Sequence, residues 1–231
     1  MTSPESAEGP ALAERLERMR AGIADAARRA DREPDDLTLI VVTKFHPASL
    51  VRELSALGVR DVGENRHQEA QTKAEELSDL DLRWHFVGQL QTKKARQAAR
   101  YAHAIHSIDR ERLVDALADG DHEIDAFVQI NLTDDPGRGG ATPEEIEALA
   151  ERVLESPSLR LRGVMAVAPI EEEPARAFAR LRGYSDRVRT LAPNATAISA
   201  GMTHDYAEAI AEGATHLRIG TAITGKRPEH G

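Results

Sequence analysis

Residues 37–47, LTLIVVTKFHP, form an apolar, β-branched run that ends on a lysine. The Ile and Val content and the short length read as a buried strand, with Thr43 and Lys44 at its polar end. The same shape recurs in VRDVGEN (59–65), LRWHFVG (82–88), AIHSID (104–109), IDAFVQIN (124–131), LRGVMAVA (161–168), TAISAG (196–201) and THLRIGT (215–221). Helix-like segments lie between these runs, at 48–57, 66–77, 110–118, 143–155, 174–191 and 205–212. Thr142-Pro143-Glu144-Glu145 marks one helix start, with an N-cap threonine, a first-turn proline and a capping-box glutamate.

Alternating strands and helices argue for parallel pairing through right-handed crossovers. Eight such units predict an α/β fold closed as a (β/α)8 TIM barrel, with an open doubly wound sheet as the alternative. The length of 231 residues suits a barrel of about 250. Residues 11–30 read as an extra N-terminal helix, because Leu12, Leu16, Met19 and Ile23 recur at helical spacing. The chain ends soon after Thr221, too early for a full eighth helix. The extra helix is therefore expected to cover the gap in the outer ring. Residues 1–10 read as a disordered tail, and 11–231 as a single barrel domain.

The net charge of −9 disfavours general nucleic-acid binding, and 3% aromatic residues are too few for base-stacking platforms. No apolar run approaches the roughly 20 residues of a membrane span. With no signal peptide and no cysteine, the chain reads as cytoplasmic and free of disulfide or thiolate chemistry. The histidines show no metal-ligand spacing.

Barrel sites gather at the C-terminal strand ends. Lys44 stands at the first, where the buried strand is expected to strip its amine of water and favour the neutral form that attacks aldehydes. A lysine that simply reaches water is the alternative. Ser199, Gly201 and Thr203, with Gly220 and Thr221, read as an anion cup at the last two ends. Arg218 should point inward, toward a ring nitrogen or an internal carboxylate. His85 and His106 could donate to a ligand or satisfy local groups. Elsewhere the strand interiors read as mostly apolar.

VVTKFHP (41–47), GENRHQEA (63–70), WHFVGQLQTKKAR (84–96), IHSID (105–109), RGVMAVAP (162–169) and the long stretch 199–225 resemble the pyridoxal phosphate homeostasis proteins, the YggS/PROSC family. The resemblance implies an alanine racemase N-terminal-like barrel, the type III fold of pyridoxal phosphate proteins. It implies pyridoxal 5'-phosphate bound as a Schiff base on Lys44. Ser199, Gly201, Met202 and Thr203 match the phosphate segment, and Arg218, Gly220 and Thr221 match a segment whose arginine faces the pyridine nitrogen. Asn65 and Met165 match residues lining the cofactor, and His85 is counted among the contacts. The implied role is to buffer or deliver the cofactor within the cell, without robust catalysis and as a monomer, with apo-forms of pyridoxal phosphate enzymes as recipients. A racemase-like enzyme is the alternative. Thr203 stands where serine is usual, which keeps a hydroxyl and adds a methyl.

Overall fold

The computed structural model describes residues 11–135 and 137–226. The expected tail, residues 1–10, lies outside them. Eight strands, β1 (Thr38–Val42), β2 (Asp61–Glu64), β3 (Arg83–Phe86), β4 (Ala102–Ile108), β5 (Ile124–Gln129), β6 (Leu159–Met165), β7 (Ala197–Ser199) and β8 (His216–Ile219), pair in sequence order and close into a barrel. Every neighbouring pair is parallel, including β8 on β1. All eight strand-like runs are strands, and closure rather than an open sheet is the outcome.

Nine helices complete the described residues: α1 (Leu12–Arg29), α2 (Ala48–Ala56), α3 (His67–Glu76), α4 (Ala95–Ala99), α5 (Glu111–Leu117), α6 (Ile146–Leu154), α7 (Pro174–Leu191), α8 (Tyr206–Ala211) and α9 (Thr221–Thr224). The capping motif before α6 forms by its glutamate half: Glu145 Oε2 accepts the Thr142 N–H at 2.8 Å. The regular helix begins a turn later than the sequence suggests. None of the helices among the described residues is long and apolar enough to cross a membrane.

Strand alternation sorts the side chains. Val41, Val62, Ile105, Val128, Val164, Ile198 and Leu217 face outward and pack beneath the helices. The inner faces hold a small apolar cluster of Ala104, Phe127, Met165 and Ala197. Gly163 allows the β6–β7 contact. Its φ is +152°, and a Cβ there would lie 1.8 Å from the Ala197 carbonyl oxygen.

α1 lies against α8 and α9, in the expected gap. The Arg15 Nε donates to the Ile223 carbonyl at 2.7 Å, and Arg32, just past α1, donates to the carbonyls of Ile210 and Ala214. Leu16 and Ile23 are buried in this seam. Burying side chains of this size stabilises by about 1.5–3 kcal/mol each. Deleting residues 11–30 is expected to lower the melting temperature by about 10 °C, as followed by circular dichroism. An unchanged melt would show that α1 is not part of the barrel's support.

Candidate functional site

Parallel closure places all eight strand C-termini on one rim. The registers Val41↔Ile219 and Val42↔Gly63 put the turn bearing Lys44 between the β8 and β2 ends. Lys44 continues the inward-facing phase of Ile40 and Val42. Its expected dehydration is not found. Lys44 is exposed, because it sits in a turn one residue beyond the last buried position of the run. Its Nζ lies 5.9 Å from the centre of the Phe45 ring, whose face also carries the Arg66 guanidinium at 4.8 Å.

What the rim does provide is a rigid mount for that lysine. Phe45 holds a left-handed backbone, φ +69°, unusual for a side chain of this bulk. Its N–H donates to Glu69 Oε1 at 2.5 Å. The buried Lys73 ammonium donates to the Thr43 carbonyl at 2.9 Å, to Glu64 Oε1 at 2.6 Å and to Glu69 Oε1 at 2.7 Å. The Thr43 hydroxyl donates to Glu64 Oε1 at 2.7 Å. Burial raises the Glu64 carboxyl above its usual range, although Lys73 and Thr43 pull it down. One lysine and two carboxylates therefore fix the backbone on both sides of Lys44.

The barrel interior is more polar than expected. Arg218 points inward from β8 and is buried. Its two bonded guanidinium nitrogens donate to Ser199 Oγ at 2.7 Å and to the Ala166 carbonyl at 2.9 Å. The internal carboxylate weighed as its partner is absent: Arg218 forms no ion pair among the described residues. Burial lowers its pKa to about 10, the Asp205 charge partly opposing, so it remains a cation at neutral pH. A guanidinium has more N–H groups than these bonds use.

Two residues expected as cofactor contacts have partners inside the barrel. The Ser199 side chain faces the interior, not the anion cup, and its oxygen lies 2.8 Å from His106 Nδ1. Its hydroxyl is thus committed between His106 and Arg218. His85 is buried with both ring nitrogens engaged, Nδ1 at 2.9 Å from His106 Nε2 and Nε2 at 2.8 Å from Asp61 Oδ1. It has no nitrogen left for a ligand.

At the last two strand ends, Gly201 adopts φ +92°, and a Cβ there would meet Ala209 at 2.8 Å. The Met202 N–H donates to Asp205 Oδ1 at 2.6 Å, and its side chain is exposed. The N–H and hydroxyl of Thr203, and the N–H of Thr221, make no hydrogen bond among the described residues. Gly220 leaves ordinary space over Val42, which a side chain would fill. Asn65 follows β2 with a buried Oδ1 that has no partner. Met165 ends β6 beneath the rim, inside the apolar cluster. A primary amine and free N–H groups thus share one rim, and a buried cation with donors to spare lies below it in the barrel. That donor set fits an aldehyde bearing an anionic tail and a ring acceptor.

The family pattern described as the alanine racemase N-terminal domain matches residues 15–228. A pyridoxal phosphate homeostasis protein of Pseudomonas aeruginosa is 41% identical over 223 residues, covering 94% of this chain and 96% of that one. The chain belongs to the pyridoxal phosphate homeostasis proteins.

Family members have solved structures. PipY of Synechococcus elongatus PCC7942, solved with pyridoxal phosphate bound, is 35% identical with a TM-score of 0.82, covering 93% of this chain and 100% of that one. Alanine racemase from Corynebacterium glutamicum shares the fold, with a TM-score of 0.71 at 15% identity, covering 94% of this chain and 63% of that one. The barrel is therefore of the alanine racemase type. Several residues that shape this homeostasis-protein barrel had not been picked out as site residues: Asp61, Glu64, Glu69, Lys73 and Asp205. Asp61 was open to detection, since it lies two residues before Gly63 and so shares its inward face.

Proposed function

We propose that this chain holds pyridoxal 5'-phosphate as a Schiff base on Lys44 and serves to buffer or deliver it, as a single barrel domain acting as a monomer. The recipients would be apo-forms of pyridoxal phosphate enzymes. The observation that carries the proposal is a lysine amine on the rim of the barrel with, below it in the interior, a buried Arg218 that forms no ion pair among the described residues. When bound, the cofactor supplies an electrophilic aldehyde and an aromatic electron sink. Lys44 would hold its aldehyde carbon, Thr203 and Thr221 its anionic tail, and Arg218 its ring nitrogen, with Asn65 and Met165 beside it.

The chemistry of Arg218 favours carriage over turnover. A guanidinium that stays protonated donates a hydrogen bond but gives the ring no proton, which weakens the sink. Racemisation also needs an acid/base on each face of the substrate. Tyr206, the sequence neighbour of the anion cup, is turned away: a Cβ on Gly22 of α1 would lie 2.7 Å from its hydroxyl oxygen. An alanine racemase assay is expected to show no turnover above that of free cofactor.

Borohydride reduction of the wild-type protein with pyridoxal phosphate, followed by peptide mass spectrometry, tests the attachment. A reduced phosphopyridoxyl adduct is expected on the Lys44 peptide. An adduct confined to other lysines, or none at all, contradicts the proposal.

A further inference from the structure

The barrel interior contains a continuous chain of polar groups that runs from its lower end to Arg218. Asp61 lies at the start of β2, His85 on β3, His106 on β4, Ser199 at the end of β7 and Arg218 on β8. Successive partners are 2.8, 2.9, 2.8 and 2.7 Å apart. All five members are buried, His106 and Ser199 completely.

With Asp61 ionised and His85 neutral, hydrogen bonding allows this chain only one direction. An ionised Asp61 can only accept, so His85 must carry its proton on Nε2. A neutral His85 then accepts at Nδ1, which requires the proton of His106 on Nε2. His106 accepts at Nδ1 from the Ser199 hydroxyl. That leaves the Ser199 oxygen to accept from Arg218, the donor the geometry supplies.

Surrounding groups support these states. The Arg83 guanidinium lies 2.5 Å from the other Asp61 oxygen. Burial raises the Asp61 pKa, but the hydrogen bonds from His85 and Arg83 more than offset it and hold the carboxyl below its usual range. Burial pushes His106 well below the ordinary imidazole range, and the Arg218 charge acts in the same direction. The His106 ring is stacked on Phe127, centroids 4.2 Å apart, which fixes its plane.

We propose that Asp61, His85, His106 and Ser199 form a directional relay that orients the Arg218 guanidinium toward the rim, making Asp61 a positioning residue for the ligand although it lies at the far end of the barrel. The inference rests on the cofactor reading for the identity of that ligand, but the direction of the relay does not depend on it. Asp61 sets both histidine tautomers. The tautomers determine which way the Ser199 hydroxyl points, and the hydroxyl fixes one guanidinium nitrogen. The Ala166 carbonyl fixes another, so the remaining donors are aimed rather than free to rotate.

Two measurements decide it. Long-range proton–nitrogen correlation spectra of the cofactor-free protein at neutral pH are expected to show His85 and His106 both neutral and protonated on Nε2. A proton on Nδ1 of either ring, or an imidazolium, overturns the relay. This result stands whether or not the protein takes cofactor, so it separates failure of the relay from failure of the cofactor reading.

The second compares Asp61→Asn with Asp125→Asn, by spectroscopic titration with pyridoxal phosphate. Asp125 occupies a similar buried place and pairs with Arg160 at 2.6 Å, Arg162 at 3.4 Å and His103 at 3.9 Å, none of them a member of the chain. Asp61→Asn keeps the shape and the acceptor oxygen but removes the charge. It is expected to change the His106 nitrogen shifts and to weaken cofactor binding about tenfold, the order expected of one charge-assisted hydrogen bond. Asp125→Asn is expected to do neither, and Asp61→Glu to restore part of the affinity. Equal effects of the two asparagine variants would reduce Asp61 to a structural role and defeat the proposal, as would unchanged affinity in Asp61→Asn.

Discussion

Lys44→Ala is expected to leave the protein as stable as wild type while abolishing the absorbance band that pyridoxal phosphate acquires on attachment. The side chain is exposed, and its one ring contact is a 5.9 Å approach to Phe45, so its removal should change stability by no more than about 0.5 kcal/mol. The covalent bond, by contrast, has no substitute. The buried Lys73 is tied to Thr43, Glu64 and Glu69 and offers no free amine at the rim. Arg218 and Thr203 remain in the variant, so weak, reversible binding without the band is expected. Parallel absorbance and thermal-melt measurements check both halves. A band of wild-type intensity in Lys44→Ala would move the attachment elsewhere and leave the rim without its assigned chemistry.

Lys73→Met should be the most damaging single change in stability, about 3–5 kcal/mol, because it strands a buried carboxylate. Glu64 would lose the cation that offsets its burial, while its second oxygen already lacks a partner. Thr43 would lose a donor to its carbonyl, and the Glu69 carboxylate that accepts the Phe45 N–H would lose its cation. The left-handed turn at Phe45, which costs roughly 1–3 kcal/mol to maintain, would then be free to relax. Adding Glu64→Leu to Lys73→Met should recover part of the loss, since removing both partners leaves no orphaned charge. Urea denaturation of the wild type, both single variants and the double variant gives the coupling directly. A Lys73→Met protein within 1 kcal/mol of wild type would show that the cluster is not a clamp.

Strand positions were legible because each run carries its own β-branched apolar residues and turn signals, and their alternation with helices left few topologies. The existence of α1 followed from its apolar stripe. α4 was missed because Ala95–Ala99 is too short to show a helical period. The site was harder to read. Lys44, Arg218 and Thr203 could be placed from strand phase, but the chemistry of a side chain depends on its partners across the barrel. Ser199 looks like a cup residue by its position beside Gly201, yet its partners come from β4 and β8, 93 residues before it and 19 after. Lys44 lies in a turn just past its strand, next to a left-handed Phe45, and a bulky aromatic carries no signal for that conformation.

Pairing of β8 with β1 is the step that assembles the rim, and it joins the two ends of the sequence. A nascent chain on the ribosome presents Lys44 early, but without β7 and β8 it has neither Arg218 nor the Thr203 and Thr221 donors. On the proposed reading, the capacity to sequester a reactive aldehyde would therefore arise in one step, at ring closure, and not gradually during synthesis. Slow, non-local closure of this kind makes cofactor uptake report on completed folding.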